Sequence, residues 1–450
     1  MIIIRCLKAQ ILIAGFLIIA VFICTARTGA EGPYPWELHA GTGVADMTPD
    51  VYKMKIPLNG YGERHKTPAG GVHDRLCTKA LAITSISPGG TREDAVIVTT
   101  DLCMVTEALR EAVLGRIEPL GYNDDNLFLT ATHTHSGPAA IDIRLPVEIA
   151  MGKFNPELFE FTADRIAAAV KKAAKSMVPV RADMVQGSFP NLVRNRREDK
   201  YDYATRRFVG EPSKNIDPLM SVLVVSGHNK KPVAILVVFG SHPTILGPDN
   251  LLISADWPGS LTKTLEARMP GLVAMFANGA EGDQAPPSMD AKDDFEWADK
   301  YGRAVADTAA KLAKHASPRG NLKLSSAVIR NRLPRMRLRS FLGIVIPRIF
   351  TKSIARDAIG SALVLGDAAF LGLPGEPLHR VGIELRERAK RKGVGKPVAV
   401  GLTNDWIGYL ADPESYSEGG YEANMTLFGP READLCLRTT LEALDKALKK

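Results

Sequence analysis

Cysteine is scarce in this chain. Of five in 450 residues, Cys6 and Cys24 fall within the first thirty positions, leaving Cys77, Cys103 and Cys436. An odd remainder with no Cys-x-x-Cys spacing implies no disulfide framework. Cys77 and Cys103 sit in strand-like runs and read most simply as buried small hydrophobes, with a single Cys77–Cys103 bridge left open. Internal repeats are absent. So is any Pro/Gly/Ser-rich linker long enough to cut the chain in two, and residues 31–450 are therefore expected to form one domain. With 45% hydrophobic and 24% charged residues, the composition excludes wholesale disorder. The net charge is +7 with a pI of about 9.0, but the positive residues are scattered and no nucleic-acid motif accompanies them. A nucleic-acid partner is not expected; a preference for anionic surfaces, lipid headgroups included, is the inference the charge supports.

A run long enough to span a membrane is also missing. Ile11–Cys24 is apolar but short for a spanning helix. Arg5 and Lys8 precede it and Thr28-Gly29-Ala30 follow, the layout of a secretory signal cleaved after Ala30. An uncleaved N-terminal anchor is the alternative, and export is expected either way. Val21-Phe22-Ile23 before Cys24 are too bulky for a lipoprotein cleavage site.

What the chain does have is a regular alternation of β-like runs and helical patterns. Strands are expected over Ala95–Thr100, Leu127–Thr132, Met220–Val225, Val233–Phe239, Val273–Ala277, Ala368–Leu373 and Val398–Leu402. Helices fit Pro156–Lys175, Asp256–Ala267, Phe295–His315, Pro377–Lys390 and Pro430–Lys450. The strands are continuous apolar runs, as expected when both faces are covered, so the fold class is α/β, a layered domain. One stretch departs from the pattern. In Arg330–Arg356, Arg and Lys surround the apolar run Phe341–Ile346, which suits either a membrane interface or an ordinary surface loop with one buried anchor.

Chemistry concentrates at strand ends. "TATHTHSGPAA" places His133 and His135 just after the run Asn126-Leu-Phe-Leu. Strand alternation would aim residues i and i+2 at one spot, and open α/β sheets place sites at such ends. An isolated pair reads equally as two hydrogen-bonded structural histidines. Four further stretches bear on the choice: "VVFGSHPTILG" with His242, "FANGAEGDQAPP" with Asp283, "LGLPGEPLHR" with Glu376, and "YLADPESYSEGGYEANMTLFGP" with Tyr409, Tyr416 and Tyr421. A Glu after Pro-Gly is by itself an ordinary helix N-terminal acid. Two imidazoles, a carboxylate and phenols together suit a catalytic zinc with an open position.

These stretches carry a family resemblance. With "AGTGVADMTP", "LNGYGERHKTPAGGVHDRL", "NLFLTATHTHSGP", "FGSHPT" and "GYEANMTLFGP" in order, the chain resembles the catalytic domain of the neutral/alkaline non-lysosomal ceramidases over most of residues 40–430. The Thr-His-Thr-His-Ser-Gly-Pro string is the most specific of these motifs. The resemblance implies mixed central β-sheets flanked by helices and a zinc-dependent hydrolase of ceramide or a related N-acylated amine. Such an enzyme belongs to lipid, and specifically sphingolipid, metabolism. Carried over residue by residue, the zinc ligands are His133, His242, Glu376 and Tyr421. His135 stands beside the metal to move protons, Tyr409 is the active-site tyrosine, and Arg196 is the active-site arginine that orients substrate. The partner implied is a lipid-like or N-acylated small molecule, with peripheral contact to a membrane surface.

Two departures bear on that expectation. Where the family has Gly-Asp-x-Ser-Pro, this chain reads Gly282-Asp283-Gln284-Ala285-Pro286, with no hydroxyl at 285, and Ser288 is a poor substitute. The family also carries a β-sandwich domain after the catalytic one, whereas this sequence ends at Lys450, which puts ceramide itself in question. Three readings follow: a zinc amidohydrolase, a zinc hydrolase of an ester or other bond, and a catalytically silent zinc- or lipid-binding homologue.

Overall fold

Uninterrupted apolar runs set the architecture. The structure, a computed structural model, describes residues 36–202, 205, 207–339, 344–345 and 355–450. Strands β1 (Glu37–Asp46) and β2 (Cys77–Ile86) pair antiparallel along their whole length. β3 (Arg92–Thr100) pairs antiparallel to β2 and parallel to β4 (Leu127–Ala131), every residue of which is buried. On the other flank of β1, β5 (Val178–Ser188), β6 (Leu219–Gly227) and β7 (Pro232–Phe239) continue antiparallel, and β8 (Val273–Asn278) runs parallel to β7. The resulting sheet has eight strands in the order β8-β7-β6-β5-β1-β2-β3-β4. A parallel pair needs a crossover. Helix α1 (Glu107–Ile117) supplies it at one edge and, past α2 (Pro156–Lys175), helix α3 (Asp256–Arg268) at the other.

Alternation along the strands divides the two faces. Ala80, Ala82, Val96, Val98, Leu127 and Leu129 pack under α1 and α2. Val237, Phe239 and Phe276 pack under α3 and helix α4 (Asp294–Ala313). The intervening residues, among them Leu81, Ile97, Phe128, Leu236 and Met275, face a second sheet. That sheet holds β9 (Leu324–Arg332), β10 (Asp357–Leu365), β11 (Ala368–Gly372) and β12 (Lys396–Val400) in that order, with only the last pair parallel. Its outer face is covered by α5 (His379–Arg391) and α6 (Glu432–Leu448). The result is a four-layer helix/sheet/sheet/helix stack, the mixed α/β arrangement expected. Each fully buried Leu or Phe in it contributes about 1.5–3 kcal/mol. Trp36–Lys450 form one compact unit.

Several boundaries differ from expectation, each for a local reason. β4 stops at Ala131, so His133 and His135 lie beyond the ladder, and strand alternation does not explain their convergence. β12 ends at Val400 because the chain leaves extended geometry at Leu402, which has φ +53. α5 begins at His379 rather than Pro377, since Glu376–Pro377 pairs parallel with Tyr409–Leu410. Cys103 is in the bend after β3 rather than in a strand, and Cys77, Cys103 and Cys436 are all free. The leader in residues 1–30 and most of the apolar run 341–346 lie outside the described residues. Among the described residues, no helix is long and apolar enough to cross a membrane.

Candidate metal centre

Three loops that leave buried strands meet at one point. After β4, His133 adopts φ +71 while its N–H donates to Leu102 O at 2.9 Å. A left-handed conformation at a non-glycine residue costs about 1–3 kcal/mol and persists where the surroundings impose it, often at functional sites. This turn, not strand alternation, sends the ring inward. After β7, the His242 N–H donates to Gln284 O at 3.0 Å, and Trp257 Nε1 donates to the His242 carbonyl at 3.2 Å. After β11, the Glu376 N–H donates to Gly408 O at 3.0 Å. Asn278 at the end of β8 ties the two sheet edges together through Nδ2 to Thr132 O at 2.8 Å.

The convergence sets electron pairs against one another. His133 Nδ1 donates to Cys103 O at 2.5 Å and His242 Nδ1 to Glu281 O at 2.7 Å. These bonds fix both tautomers and leave each Nε2 with a lone pair. The two Nε2 atoms stand 3.1 Å apart, and Glu376 Oε2 lies 3.3 Å from the first and 3.2 Å from the second. Glu376 Oε1 is already taken by Trp406 Nε1 at 2.8 Å. His133 and Glu376 are nearly sealed from water and His242 is fully so. Three facing acceptors repel unless a positive charge lies between them. Atoms sharing a tetrahedral zinc stand about 3.3 Å apart, so these residues fit a metal ion. Without one, a single proton must serve the cluster. Burial alone would lower His133, but the Glu376 carboxylate holds it well above the usual imidazole range. Glu376, which burial would raise, is held well below the carboxylate range by the two imidazoles. Burial, with Arg196 nearby, brings His242 down to about 4. A proton on His133 answers only part of this demand; a divalent cation answers all of it.

Cys103, His133 and His135 also bring potential ligand atoms together. Cys103 Sγ, however, approaches His133 Nδ1, at 3.8 Å, and that nitrogen is already bonded to the Cys103 carbonyl. The His133–His242–Glu376 set is the coherent one.

The remaining expected residues surround this set. His135 Nε2 is 3.2 Å from His133 Nε2, and its ring packs on the face of Gly60, where any Cβ would meet it at 2.3 Å. Its Nδ1 is buried with no partner among the described residues. Burial and the neighbouring imidazoles push its pKa well below the usual range, so His135 is a neutral ring. The Tyr409 hydroxyl lies 3.4 Å from His242 Nε2 and accepts from Arg196 Nη2 at 3.0 Å. Burial and the Glu376 charge raise Tyr409 well above the ordinary phenol value and keep its proton available for donation. Burial would weaken Arg196, but Tyr409 and Glu422 keep it charged, with Glu422 Oε1 at 3.0 Å from Nε. Tyr421 is carried by the turn Gly419–Gly420, whose φ values of +90 and +87 suit glycine. Its ring meets Tyr409 edge-on at 5.6 Å, and 59% of the residue is exposed at the mouth of the site. No hydrogen bond joins it to His133, His242 or Glu376 among the described residues. Partial loss of hydration and the Glu376 charge raise its phenol to about 12. Ser288 accepts from Phe208 N at 2.8 Å and takes no part in the cluster.

Two cavities of different character lie beside the cluster, one lined by His133 and Glu376, the other reaching it through His135, Tyr409 and Tyr421. One, of about 300 Å³, is a narrow apolar slot walled by Met104, Val147, Met151, Met336, Ile407 and Leu427. The other, of about 1140 Å³, is polar and runs past Arg196, Ala285 and His379. His135, Tyr409 and Tyr421 border both.

Glu281 joins the site without having been expected from sequence. In "FANGAEGDQAPP" the expected acid, Asp283, binds His379 instead of approaching the metal set. Glu281 is 0% exposed, neither of its oxygens has a hydrogen-bond partner among the described residues, and burial raises it well above the carboxylate range. A second acid in the same glycine turn was the available signal.

Known proteins match this frame. A family model described as neutral/alkaline non-lysosomal ceramidase, N-terminal, matches residues 38–331. The neutral ceramidase of Mycobacterium tuberculosis is 26% identical over 90% of this chain and 76% of its own length. Neutral ceramidase A of Dictyostelium discoideum is 31% identical over 55% of this chain; the match spans only 35% of that protein. The crystal structure of neutral ceramidase from Pseudomonas aeruginosa superposes with a TM-score of 0.76 at 22% identity, covering 90% of this chain and 74% of that one.

Proposed function

Since the chain belongs to the neutral/alkaline non-lysosomal ceramidase family, we propose that it is a zinc-dependent hydrolase that cleaves the amide bond of ceramide or a related N-acylated amine. The observation that carries the reading is the convergence of His133 Nε2, His242 Nε2 and Glu376 Oε2 beside an apolar slot that shares His135, Tyr409 and Tyr421 with a larger, more polar cavity. These three residues would hold the ion, with Tyr421 as the family-derived fourth ligand at the mouth. When bound, zinc supplies Lewis-acid polarisation of the amide carbonyl and activation of a water.

The chain's own groups do the rest. The slot takes an acyl chain and excludes water from it, and the polar cavity takes the amine side. Tyr409, its oxygen already accepting from Arg196, keeps a proton directed at the cluster that it can turn to the oxyanion developing on the carbonyl; losing one such donor costs about 3 kcal/mol. Arg196 fixes Tyr409 in place and faces the polar cavity, where it can orient a substrate hydroxyl. His135, neutral and 3.2 Å from His133, is placed to take a proton from water and pass it to the leaving nitrogen.

The Ile11–Cys24 leader supports export, and the basic, apolar composition of Arg330–Arg356 supports peripheral contact with a lipid surface. Arg330 itself is committed elsewhere, to Asp124 and Glu107.

The test compares matched amide and ester substrates with zinc-loaded protein and a chelated control. Chelator-sensitive cleavage with the amide preferred is expected. An ester preference would move the reading to the second hydrolase class, and silence toward both would mark a non-catalytic homologue.

A further inference from the structure

The polar cavity contains a buried histidine that the chemistry above does not use. His379 opens α5 and is 5% exposed. Its backbone N–H donates to Asp283 Oδ1 at 2.8 Å and its ring Nδ1 to Asp283 Oδ2 at 2.6 Å. Asp283, 1% exposed, thus gives both carboxylate oxygens to one residue. That grip fixes the ring plane and the tautomer, and it turns Nε2 away from the carboxylate. Both residues line the polar cavity, and Nε2 has no hydrogen-bond partner among the described residues. The same turn positions Arg196, whose N–H donates to Asp283 O at 2.9 Å.

The surroundings select what Nε2 can meet. Burial and Arg380 oppose a proton on the ring, while Asp283 and Asp217 favour one and prevail, so the pKa lies above the ordinary 6.5. Glu198, in the same lining and bonded to Ser213 and Asn215, loses some hydration, but those bonds and the charge of His379 lower its pKa. Ala285, in the same wall, offers no polar side-chain atom. The lining carries more carboxylates than guanidinium groups, so an anionic head group would meet like charge. A neutral hydroxyl oxygen would not.

We propose that the Asp283–His379 pair is a head-group site, in which Nε2 of His379 hydrogen-bonds a hydroxyl on the amine side of the substrate, the part released as an amino alcohol. His379 is the specificity-determining residue and Asp283 its positioning residue. The proposal deepens the amide-hydrolase reading and rests on it for the class of ligand, but its test needs no turnover.

The probes are a short-chain amino diol and the amine of equal chain length that lacks both hydroxyls. Each is titrated by calorimetry into the zinc-loaded wild type, His379→Leu and Asp283→Asn. Wild type should favour the diol about tenfold, which is one hydrogen bond's worth of discrimination. His379→Leu should lose most of that ratio, leaving the share that Arg196 contributes through the other hydroxyl, with the affinity for the plain amine unchanged. Asp283→Asn should reduce the ratio severalfold, and it decides the matter if His379→Leu does not fold. As pH rises above the ordinary histidine range the ring loses its Nε2 proton, and a charge-assisted bond that His379 donates becomes a weaker neutral bond that Nε2 accepts from the hydroxyl, so the wild-type ratio should shrink without falling to one. A wild-type ratio near one, or a ratio unchanged in both variants, overturns the assignment. Failure of the wild type to cleave any amide would instead defeat the proposed function and leave this ratio to be read by itself.

Discussion

Arg110 and His242 are both sealed from water at 0% exposure, and their surroundings treat them in opposite ways. Around Arg110, unlike charges close on one another. Its Nη1 and Nη2 reach Asp124 Oδ1 and Asp124 O at 2.5 and 2.6 Å, and Arg330 Nη2 reaches the same carboxylate at 2.7 Å. Around His242, two lone pairs and a carboxylate oxygen face each other across 3.1–3.3 Å. The first cluster is nearly satisfied by its own members, and its business is to hold α1 and the β3–β4 connection against β9. The second is left in deficit of positive charge. A cluster around a buried group that answers its own demand stabilises the fold; one that does not fits a ligand that supplies the missing charge.

The contrast breaks most visibly if the second cluster turns out to be self-sufficient. Removing His242 or Glu376 as Ala should strip most of the bound metal and lower turnover on the order of 10³-fold or more, about 4 kcal/mol of barrier. Metal analysis beside an amide assay reads both, and full metal in His242→Ala would remove that residue from the set. Next in size is His135→Ala. The ion should stay while turnover falls about 10²–10⁴-fold, the usual range for a lost proton-transfer group. Loss of metal in this variant would make His135 a ligand.

The first cluster should respond in stability alone. Asp124, which burial would raise, is held at about 2 by Arg330 and Arg110, below its ordinary 3.8. A depressed carboxylate contributes stability that is fully present above its unfolded value and is lost as pH falls toward its folded one. Asp124→Asn should therefore cost about 1–2 kcal/mol at neutral pH, a figure discounted because nearly half of the Asp124 side chain meets water. The gap to wild type should close between about pH 4 and pH 2 in denaturation curves, with metal content unaltered throughout. The smallest effect is expected at Ala285. Adding a hydroxyl with Ala285→Ser supplies one neutral hydrogen bond, about 0.5–1.5 kcal/mol, so turnover should change by about tenfold or less. A wild type silent toward every amide and ester, but switched on by this change, would make Ala285 the lesion of a dead enzyme.

Much of the fold was legible because apolar runs are local. Leu127–Thr132, Val233–Phe239 and Pro156–Lys175 each coincide with an observed element to within a residue. The motifs at strand ends singled out His133, His242 and Glu376 as candidates, the family resemblance joined them into one set, and the structure groups them. What was not legible depends on the third dimension. The His133 turn at φ +71 replaces the strand geometry that alternation suggested. The short pairing of Glu376–Pro377 with Tyr409–Leu410 overrides the helix start that Pro377 signals. Glu281 and His379 stand out only once burial and partners are known: a second acid beside Asp283 in the glycine turn marks Glu281 but says nothing of its burial, and a His before Arg carries no signal of its partner. Cys103 reads as a core residue in a string, yet its carbonyl sets the His133 tautomer.

The central claim is that three converging acceptors hold one divalent ion. Its most direct test is the zinc content of the purified chain after dialysis against a weak chelator, read for wild type beside Glu376→Gln. That substitution keeps the side chain's size and removes its charge. The account predicts about one zinc per chain in wild type, from a single catalytic-type site, and little in the variant. A wild type that holds no zinc, or a Glu376→Gln that holds as much as wild type, would contradict it.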